Sequence, residues 1–144
     1  MQKTIWHKKP TLTELDLLQK NTIDETLGIK ITEVGADFIR GTMPADARTL
    51  QPFGLIHGGA NVVLAETLGS VGANWVVDTE HYFCVGQEVN ANHLRGVRSG
   101  EVTGTAKLLH RGRTSQVWEI HIVDDQDRLS CVSRLTMAVV AIKK

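Results

Sequence analysis

A carboxylate at the centre of an apolar segment is the first residue of this 144-residue sequence whose chemistry asks for an explanation. Glu66 lies inside the run Ala60 to Val77, among Val62, Val63, Leu64, Leu68, Val71, Trp75 and Val76. A carboxylate in such surroundings loses hydration, so a chain keeps one there with a partner or with a task. As a task, it could take a proton from water or attack an electrophilic carbon itself. The residues alone leave that reading level with a structural one, in which a buried Arg or His pairs with the acid. Ser70 follows one helical turn later on the same face, within reach of the carboxylate or of a water. A hydroxyl at such a place more commonly bonds back to the helix backbone.

The stretch before the helix is Gln51-Pro52-Phe53-Gly54-Leu55-Ile56-His57-Gly58-Gly59. Pro52 fixes one φ angle and the glycines permit turns that other residues resist, so these nine residues describe a shaped loop. At His57-Gly58-Gly59 the first amides of the helix point outward and can hold developing negative charge. Turn geometry alone also explains the glycines, and a loop-organising hydrogen bond explains Gln51; both can coexist with chemistry. A third group is cationic. His93 and Arg95 end one predicted strand, while His110, Arg111 and Arg113 cluster at the next loop. If neighbouring strands bring these ends together they form a phosphate site of modest strength; by themselves they read as a solvated basic rim. Six histidines invite a search for metal, but no HExxH or paired Cys/His spacing occurs, and His57, Glu66 and His93 are scattered, so no metal site is expected. No P-loop or Rossmann fingerprint is present either.

The elements that must position these groups follow from periodicity. A helix apolar on every side is a core helix or a membrane span. About 18 residues is the bare minimum for a span, and a mid-bilayer carboxylate is costly, so the segment is read as the central helix of a soluble domain. Ala65, Gly69, Gly72, Ala73 and Val76 make a ridge of small side chains against which a sheet can pack closely. Ahead of the loop, Thr11 and Glu14 form a capping box for a helix from about Thr11 to Lys20, and Thr22 to Leu27 adds a turn. Ile29 to Val34 and Phe38 to Met43 read as a hairpin. After the helix, Asp78 to Tyr82 is a polar surface connection. Strands are expected from Val85 to Leu94, from Glu101 to His110, through Trp118, Ile120 and Ile122, and from Leu129 to Ile142, separated by turns at Arg98-Ser99-Gly100, Arg111-Gly112-Arg113 and Asp124 to Asp127. Two strands before the helix and four after it imply an α+β arrangement, an antiparallel sheet on one helix. The open edges of such a sheet are commonly paired across a two-fold axis.

Composition narrows the class. The length suits one domain, 1–144. Sixteen basic and sixteen acidic residues give zero formal charge, without the electrostatic footprint of a nucleic-acid binder. Cys84 and Cys131 stand far apart in no disulfide pattern, and Met1 to Trp6 has no continuous apolar region of the kind a signal peptide carries; a cytoplasmic protein with reduced thiols is expected.

Arg48-Thr49, Gln51 to Gly54, His57 to Ala60, Leu64 to Glu66, Gly69-Ser70, Asn90-Ala91-Asn92-His93 with Arg95, and Gly112 with Gln116-Val117-Trp118 occur in order across most of the chain. In these residues the sequence resembles the hotdog-fold thioesterases, specifically the small bacterial aryl-CoA and aryl-carrier-protein branch with a helix-borne glutamate. The resemblance implies a hotdog fold, a long central helix wrapped by an antiparallel sheet of about five to six strands. It implies hydrolysis of aromatic acyl thioesters, such as hydroxybenzoyl or dihydroxynaphthoyl derivatives of coenzyme A or of a carrier protein. Glu66 would be general base or nucleophile, the Gly58 amide the oxyanion donor, Gln51 and His57 would place the thioester, and Ser70 would assist. Coenzyme A would lie along Gly86, His93, Leu94, Arg95, Gly96, His110, Arg111, Gly112, Arg113, Thr114 and Ser115. No cofactor is implied beyond the coenzyme A of the substrate, and the expected assembly is a homodimer or homotetramer, with neither nucleic acid nor membrane as partner. Two other readings keep the fold: an acyl hydratase or dehydratase with His57 or His93 as base, and a non-catalytic acyl-thioester-binding protein. The sequence departs from the family at Asn74 to Cys84, where Trp75, His81, Tyr82 and Phe83 either shape an acyl pocket or simply pack, and at Gly96, where relatives often carry a hydroxyl; Asn61 has no assigned role.

Overall fold

The computed structural model describes residues 3–144; Met1 and Gln2, part of the N-terminal segment read above as carrying no signal sequence, lie outside them. Helix α1 (Leu12–Gln19) begins at the expected capping box. The Thr11 hydroxyl accepts from the Glu14 N–H at 3.1 Å, and the Glu14 carboxylate accepts from the Thr11 N–H at 2.9 Å. That backbone hydrogen bond, with Lys8 beside it, holds the Glu14 carboxyl below the usual carboxylate range. Helix α2 (Ile23–Leu27) stops at Gly28, whose φ of 73° is the left-handed conformation a helix end favours.

The remaining elements are β1 (Lys30–Val34), β2 (Phe38–Pro44), α3 (Gly58–Val76), β3 (Tyr82–His93), β4 (Glu101–Arg111), β5 (Ser115–Val123) and β6 (Leu129–Ala141). The six strands form one sheet in the order β1-β2-β4-β5-β6-β3, with every neighbouring pair antiparallel. Helix α3 lies against this sheet. Its buried residues, Ala60, Asn61, Leu64, Ala65, Leu68, Gly69, Gly72, Ala73 and Val76, recur at spacings of three and four and form the sheet-facing side. The apolar residues around the helix are therefore of two kinds, since Val62, Val63, Val71 and Trp75 are only half-buried in one chain. The small residues let strand side chains reach the helix backbone: a Cβ at Gly69 would stand 2.6 Å from Leu135 Cδ2, and one at Gly72 would stand 2.7 Å from Trp118 Cη2. Trp118, Ile120 and Ile122 point into this core, as their alternation with Glu119 and His121 requires. Trp118 donates from Nε1 to Gln116 Oε1 at 2.9 Å, and Gln116 Nε2 donates to the Ala73 carbonyl at 3.4 Å, so the buried polar groups are satisfied between strand and helix.

Of the boundaries that differ from the sequence expectation, three bear on the site, each for a local reason. Helix α3 starts at Gly58 and not Ala60, because His57 caps it. Strand β3 starts at Tyr82 and not Val85: Asn74 on α3 accepts from the Cys84 N–H at 2.8 Å and donates to the Cys84 carbonyl at 3.1 Å, ordering the strand start. Tyr82 and Phe83 are thus exposed strand residues, not part of a surface connection. Strand β4 continues through Arg111, which moves the turn one residue on, to residues 112–114. Strands β1 and β3 are the sheet's two edges. Among the described residues no helix is long and apolar enough to cross a membrane. Cys84 and Cys131 are free and buried, and burial pushes both thiols above their ordinary pKa.

Candidate active site

Loop 45–57 is fastened before it reaches α3. The Thr49 hydroxyl donates to the Pro44 carbonyl at 2.6 Å, the Thr49 carbonyl accepts from the His57 N–H at 2.8 Å, and the Gln51 N–H donates to the Leu55 carbonyl at 2.7 Å. Within the turn the Gln51 side-chain oxygen accepts from the Phe53 N–H. The loop-organising bond considered for Gln51 is therefore real, and it occupies the carbonyl half of the amide; the Nε2 hydrogens remain as donors. Gln51 lines a cleft of about 320 Å³ with Gly58, Asn61, His93, Arg95 and Gly96, closed on its apolar side by Leu55, Ile56 and Val97.

The tip of α3 opens into this cleft. The His57 Nδ1 accepts from the Gly59 N–H at 2.8 Å, and the His57 carbonyl accepts from the N–H groups of Ala60 at 2.9 Å and Asn61 at 3.3 Å. Among the described residues the Gly58 N–H has no partner. Of the four amides that a helix start leaves over, three are claimed and one is presented. Because Nδ1 of His57 is the acceptor, the ring proton sits on Nε2, and His57 faces its surroundings as a donor. His93, at the end of β3, lies against the tip; a Cβ at Gly58 would stand 2.8 Å from its Nε2.

Glu66 is eight residues further along the same helix. It is half-buried, and among the described residues no Lys, Arg or His pairs with it and its carboxylate makes no hydrogen bond. The ion-paired alternative is thus not what the chain has built. Gly86 makes room for it: a Cβ there would stand 2.5 Å from Glu66 Oε1, and the β3–β6 register shifts between Gly86 and Glu88. A glycine and a bulge in mid-strand mark the close approach of another group. Ser70 is half-buried one turn beyond; its carbonyl accepts from Asn74 Nδ2 at 2.9 Å, and its hydroxyl makes no hydrogen bond among the described residues.

Within one chain the structure gathers some expected residues and separates others. Gln51, His57, Gly58, His93, Leu94, Arg95 and Gly96 share the helix-tip region, the last four held there by bonds from the N–H groups of Leu94 and Arg95 to the Ser130 carbonyl at 2.8 and 3.2 Å. Gly96 is covered by Leu55, which a Cβ there would meet at 2.8 Å. Glu66 is about 12 Å from Gly58 along the helix axis. His110, Arg111, Gly112, Arg113, Thr114 and Ser115 belong to the opposite end: Ser115 lies in register with Ala138 and hence with Val85, whereas His93 lies in register with Cys131, about 23 Å along the strands. The expected meeting of the two basic clusters does not occur inside one chain. Arg111 donates from Nη2 to the Val76 carbonyl at 3.3 Å, a cation on the C-terminus of α3. Gly112 and Thr114 shape the turn, the first through its N–H to the Ser115 carbonyl and the second by accepting from the Val139 N–H. Asn74 is the positioning residue the sequence reading missed. Its signal was an amide side chain on the helix preceding a strand that has no partner on its outer edge, visible only once the strand order is known. Asp78, Glu80 and His81 bring ligand-type atoms within 4.8 Å of one another, but in the exposed α3–β3 connection, far from the helix tip.

The sequence matches the thioesterase superfamily over residues 53–131. It is 53% identical over 137 residues to the putative esterase PA1618 of Pseudomonas aeruginosa, covering 95% of this chain and 94% of that one. It is 47% identical over 135 residues to the 1,4-dihydroxy-2-naphthoyl-CoA hydrolase of Escherichia coli, covering 94% of this chain and 98% of that one. A crystal structure of a mutant of thioesterase PA1618 superposes with a TM-score of 0.95 at 51% identity, over 96% of this chain and 100% of that chain. A match over more than half the chain, and agreement in fold along nearly all of it, lead to one conclusion: this chain belongs to the thioesterase superfamily, with its hotdog fold, and is a thioester hydrolase.

Proposed function

We propose that the chain is a cytoplasmic enzyme that hydrolyses aromatic acyl thioesters of coenzyme A, or of an aryl carrier protein, to the free acid and a thiol. The unclaimed Gly58 amide carries this reading. It offers the thioester oxygen a fixed donor at the positive end of a 19-residue helix, beside the Gln51 Nε2 and His57 Nε2 donors. Glu66, unpaired, then takes the proton of an attacking water or adds to the carbonyl carbon, forming a mixed anhydride that water opens.

One carbonyl cannot meet both groups of the same chain across about 12 Å of helix. A second copy resolves this. Asn74 occupies the outer-edge groups of Cys84, so pairing between two copies begins beyond it. If the outer edges of β3 pair antiparallel about an axis at Asn90, the bulge between Gly86 and Glu88 sets Gly86 of one copy opposite His93 of the other. Glu66 of the first then approaches the Gly58 amide of the second. The same operation brings the β4–β5 tip of the first copy to the end that carries His93 and Arg95 of the second. The basic residues separated in one chain then converge on the coenzyme A phosphates. The largely exposed β3 and the half-buried Val62, Val63 and Val71 suit such an interface.

Thiol release from benzoyl-CoA tests the reading, with a medium-chain acyl-CoA for comparison. Free thiol and benzoate are expected. Loss of unsaturation from an enoyl-CoA without thiol would instead make the chain a hydratase, a role in which His57 is poorly placed because Nδ1 is engaged and Nε2 is protonated; tight binding without turnover would make it a carrier. Arg95→Ala should raise KM for the coenzyme A thioester by up to about tenfold with kcat largely kept, and the difference should shrink as salt is added, since the contact is exposed. Unchanged kinetics at low salt would return Arg95 to the solvated rim.

A further inference from the structure

The connection between α3 and β3 carries a second cluster of chemistry-bearing groups. Asp78, Glu80 and His81 each offer one ligand atom, and these atoms lie within 4.8 Å of one another. The turn that presents them is fixed by its own backbone. The Asp78 carbonyl accepts from the N–H groups of His81 at 3.0 Å and Tyr82 at 2.9 Å, and the His81 carbonyl accepts from the Ile142 N–H at 2.8 Å. Asp78 Oδ1 accepts from the Glu80 N–H at 3.0 Å, which orients the carboxylate and leaves Oδ2 facing His81 Nδ1 at 2.9 Å. A ligating carboxylate is ordinarily held by such an outer hydrogen bond.

A fourth donor comes from a distant part of the chain. The His7 N–H donates to the Trp75 carbonyl at 3.0 Å, which ties the N-terminal arm to the end of α3 and sets His7 Nε2 3.8 Å from Asp78 Oδ1. His7, Asp78 and Glu80 line one cavity of about 310 Å³, with Trp75 and Val77 among its walls. The neighbouring cations leave both carboxylates unneutralised. Lys8 pairs with Glu14 at 3.0 Å and lies over the Trp75 ring, and Arg111 donates to the Val76 carbonyl. Among the described residues Glu80 has no cationic partner, and Asp78 has only the imidazoles of His7 and His81. Asp46, Asp124 and Glu33, by contrast, each hold an arginine. Two carboxylates and two imidazoles form the donor set of a zinc-type cation, since imidazole discriminates against magnesium and calcium, which take oxygen. Zinc holds its ligand atoms at about 2.0 to 2.2 Å, hence about 3.4 Å from one another in a tetrahedron. The loop atoms are near that spacing already, and exposed His7 joins them by rotating its side chain. We propose that Asp78, Glu80 and His81, completed by His7, bind one zinc-type divalent cation that clamps the N-terminal arm onto the α3–β3 connection. Spacing motifs miss such a site because three ligands share one turn and the fourth comes from the arm.

Zinc titrated by calorimetry into chelator-treated protein tests this, with the wild type compared with His81→Ala, His7→Ala, Glu80→Gln and His121→Ala. His121 and Glu119 form an ordinary surface pair at the same 3.8 Å as His7 and Asp78, so the last variant is the control. One zinc per chain is expected, with affinity weakened by about tenfold or more in each of the first three variants and unchanged in His121→Ala. Magnesium and calcium should not compete. Excess zinc should raise the wild-type Tm by about 5 °C and leave that of His81→Ala unmoved. The substituted side chains are exposed, so melting in chelator should match the wild type and separate a lost ligand from a lost fold. Wild-type affinity retained in any of the first three variants overturns the proposal. So does an equal weakening in His121→Ala, or zinc that magnesium displaces.

Discussion

Replacing Glu66 by Gln should leave a folded protein with nearly unchanged KM for an aryl-CoA and a kcat lower by about 10² to 10⁴, towards the upper end if the carboxylate is the nucleophile. Glutamine keeps the shape and removes the charge and the basic oxygen. The argument that the fold survives is structural: Glu66 is half-buried, pairs with no cation among the described residues, and sits in a pocket that Gly86 leaves open on β3. Among the described residues no contact depends on its charge, so Tm should hold or rise slightly. A structural carboxylate would behave in the opposite way, with Tm falling and the turnover of the surviving folded protein intact. Steady-state kinetics and a thermal melt on the same preparation decide between them, and turnover near wild type would remove Glu66 from the mechanism.

What the sequence disclosed and what it concealed divide along a physical line. Glu66 could be singled out because a charge inside an apolar run is locally anomalous, and the loop Gln51 to Gly59 because proline and closely spaced glycines have few other uses. The alternation around Trp118 gave a strand whose inward face is the observed core. The capping box at Thr11 is likewise a local pattern with a local outcome. What stayed hidden is relational. Whether the cationic residues around Arg95 and Arg113 meet within one chain depends on strand order, and β3 pairs with β6 and not with β4. Arg111, expected on phosphates, also donates to the last carbonyl of α3, a contact between residues 35 apart in sequence. Gly86, expected to line coenzyme A, also gives Glu66 its space, which only the packing of β3 on α3 discloses. The start of β3 was placed late because the partner of Cys84 is a side chain, Asn74, and no backbone pattern announces it.

Gly58→Pro should lower kcat by about 10² to 10³, the effect of losing one oxyanion donor, with the helix intact. Gly58 is the first residue of α3, where proline is well tolerated because the amide it lacks is unpaired in any case. His57, with φ −60° and ψ 132°, already has the extended conformation that a residue before proline requires. The new ring carbons crowd His93, whose Nε2 would lie 2.8 Å from a Cβ at this position, but His93 is exposed at a strand end and can swing away. Gly58→Ala controls for that crowding, since it keeps the N–H and presents the same Cβ; it should lose far less activity than the proline variant. If the two lose equally, the amide is not the donor. The pair also tests how the site is assembled. Unfolding and refolding Glu66→Gln together with Gly58→Pro should return activity to about one quarter of wild type, because half of the dimers are mixed and each mixed dimer has one of its two sites with both Glu66 and the Gly58 amide intact. Should each site be built within one chain, every site in the mixture would carry a defect and the activity would remain that of the separate variants. Recovery therefore requires that the glutamate and the helix tip acting on one thioester come from different copies, which is what about 12 Å of intervening helix demands.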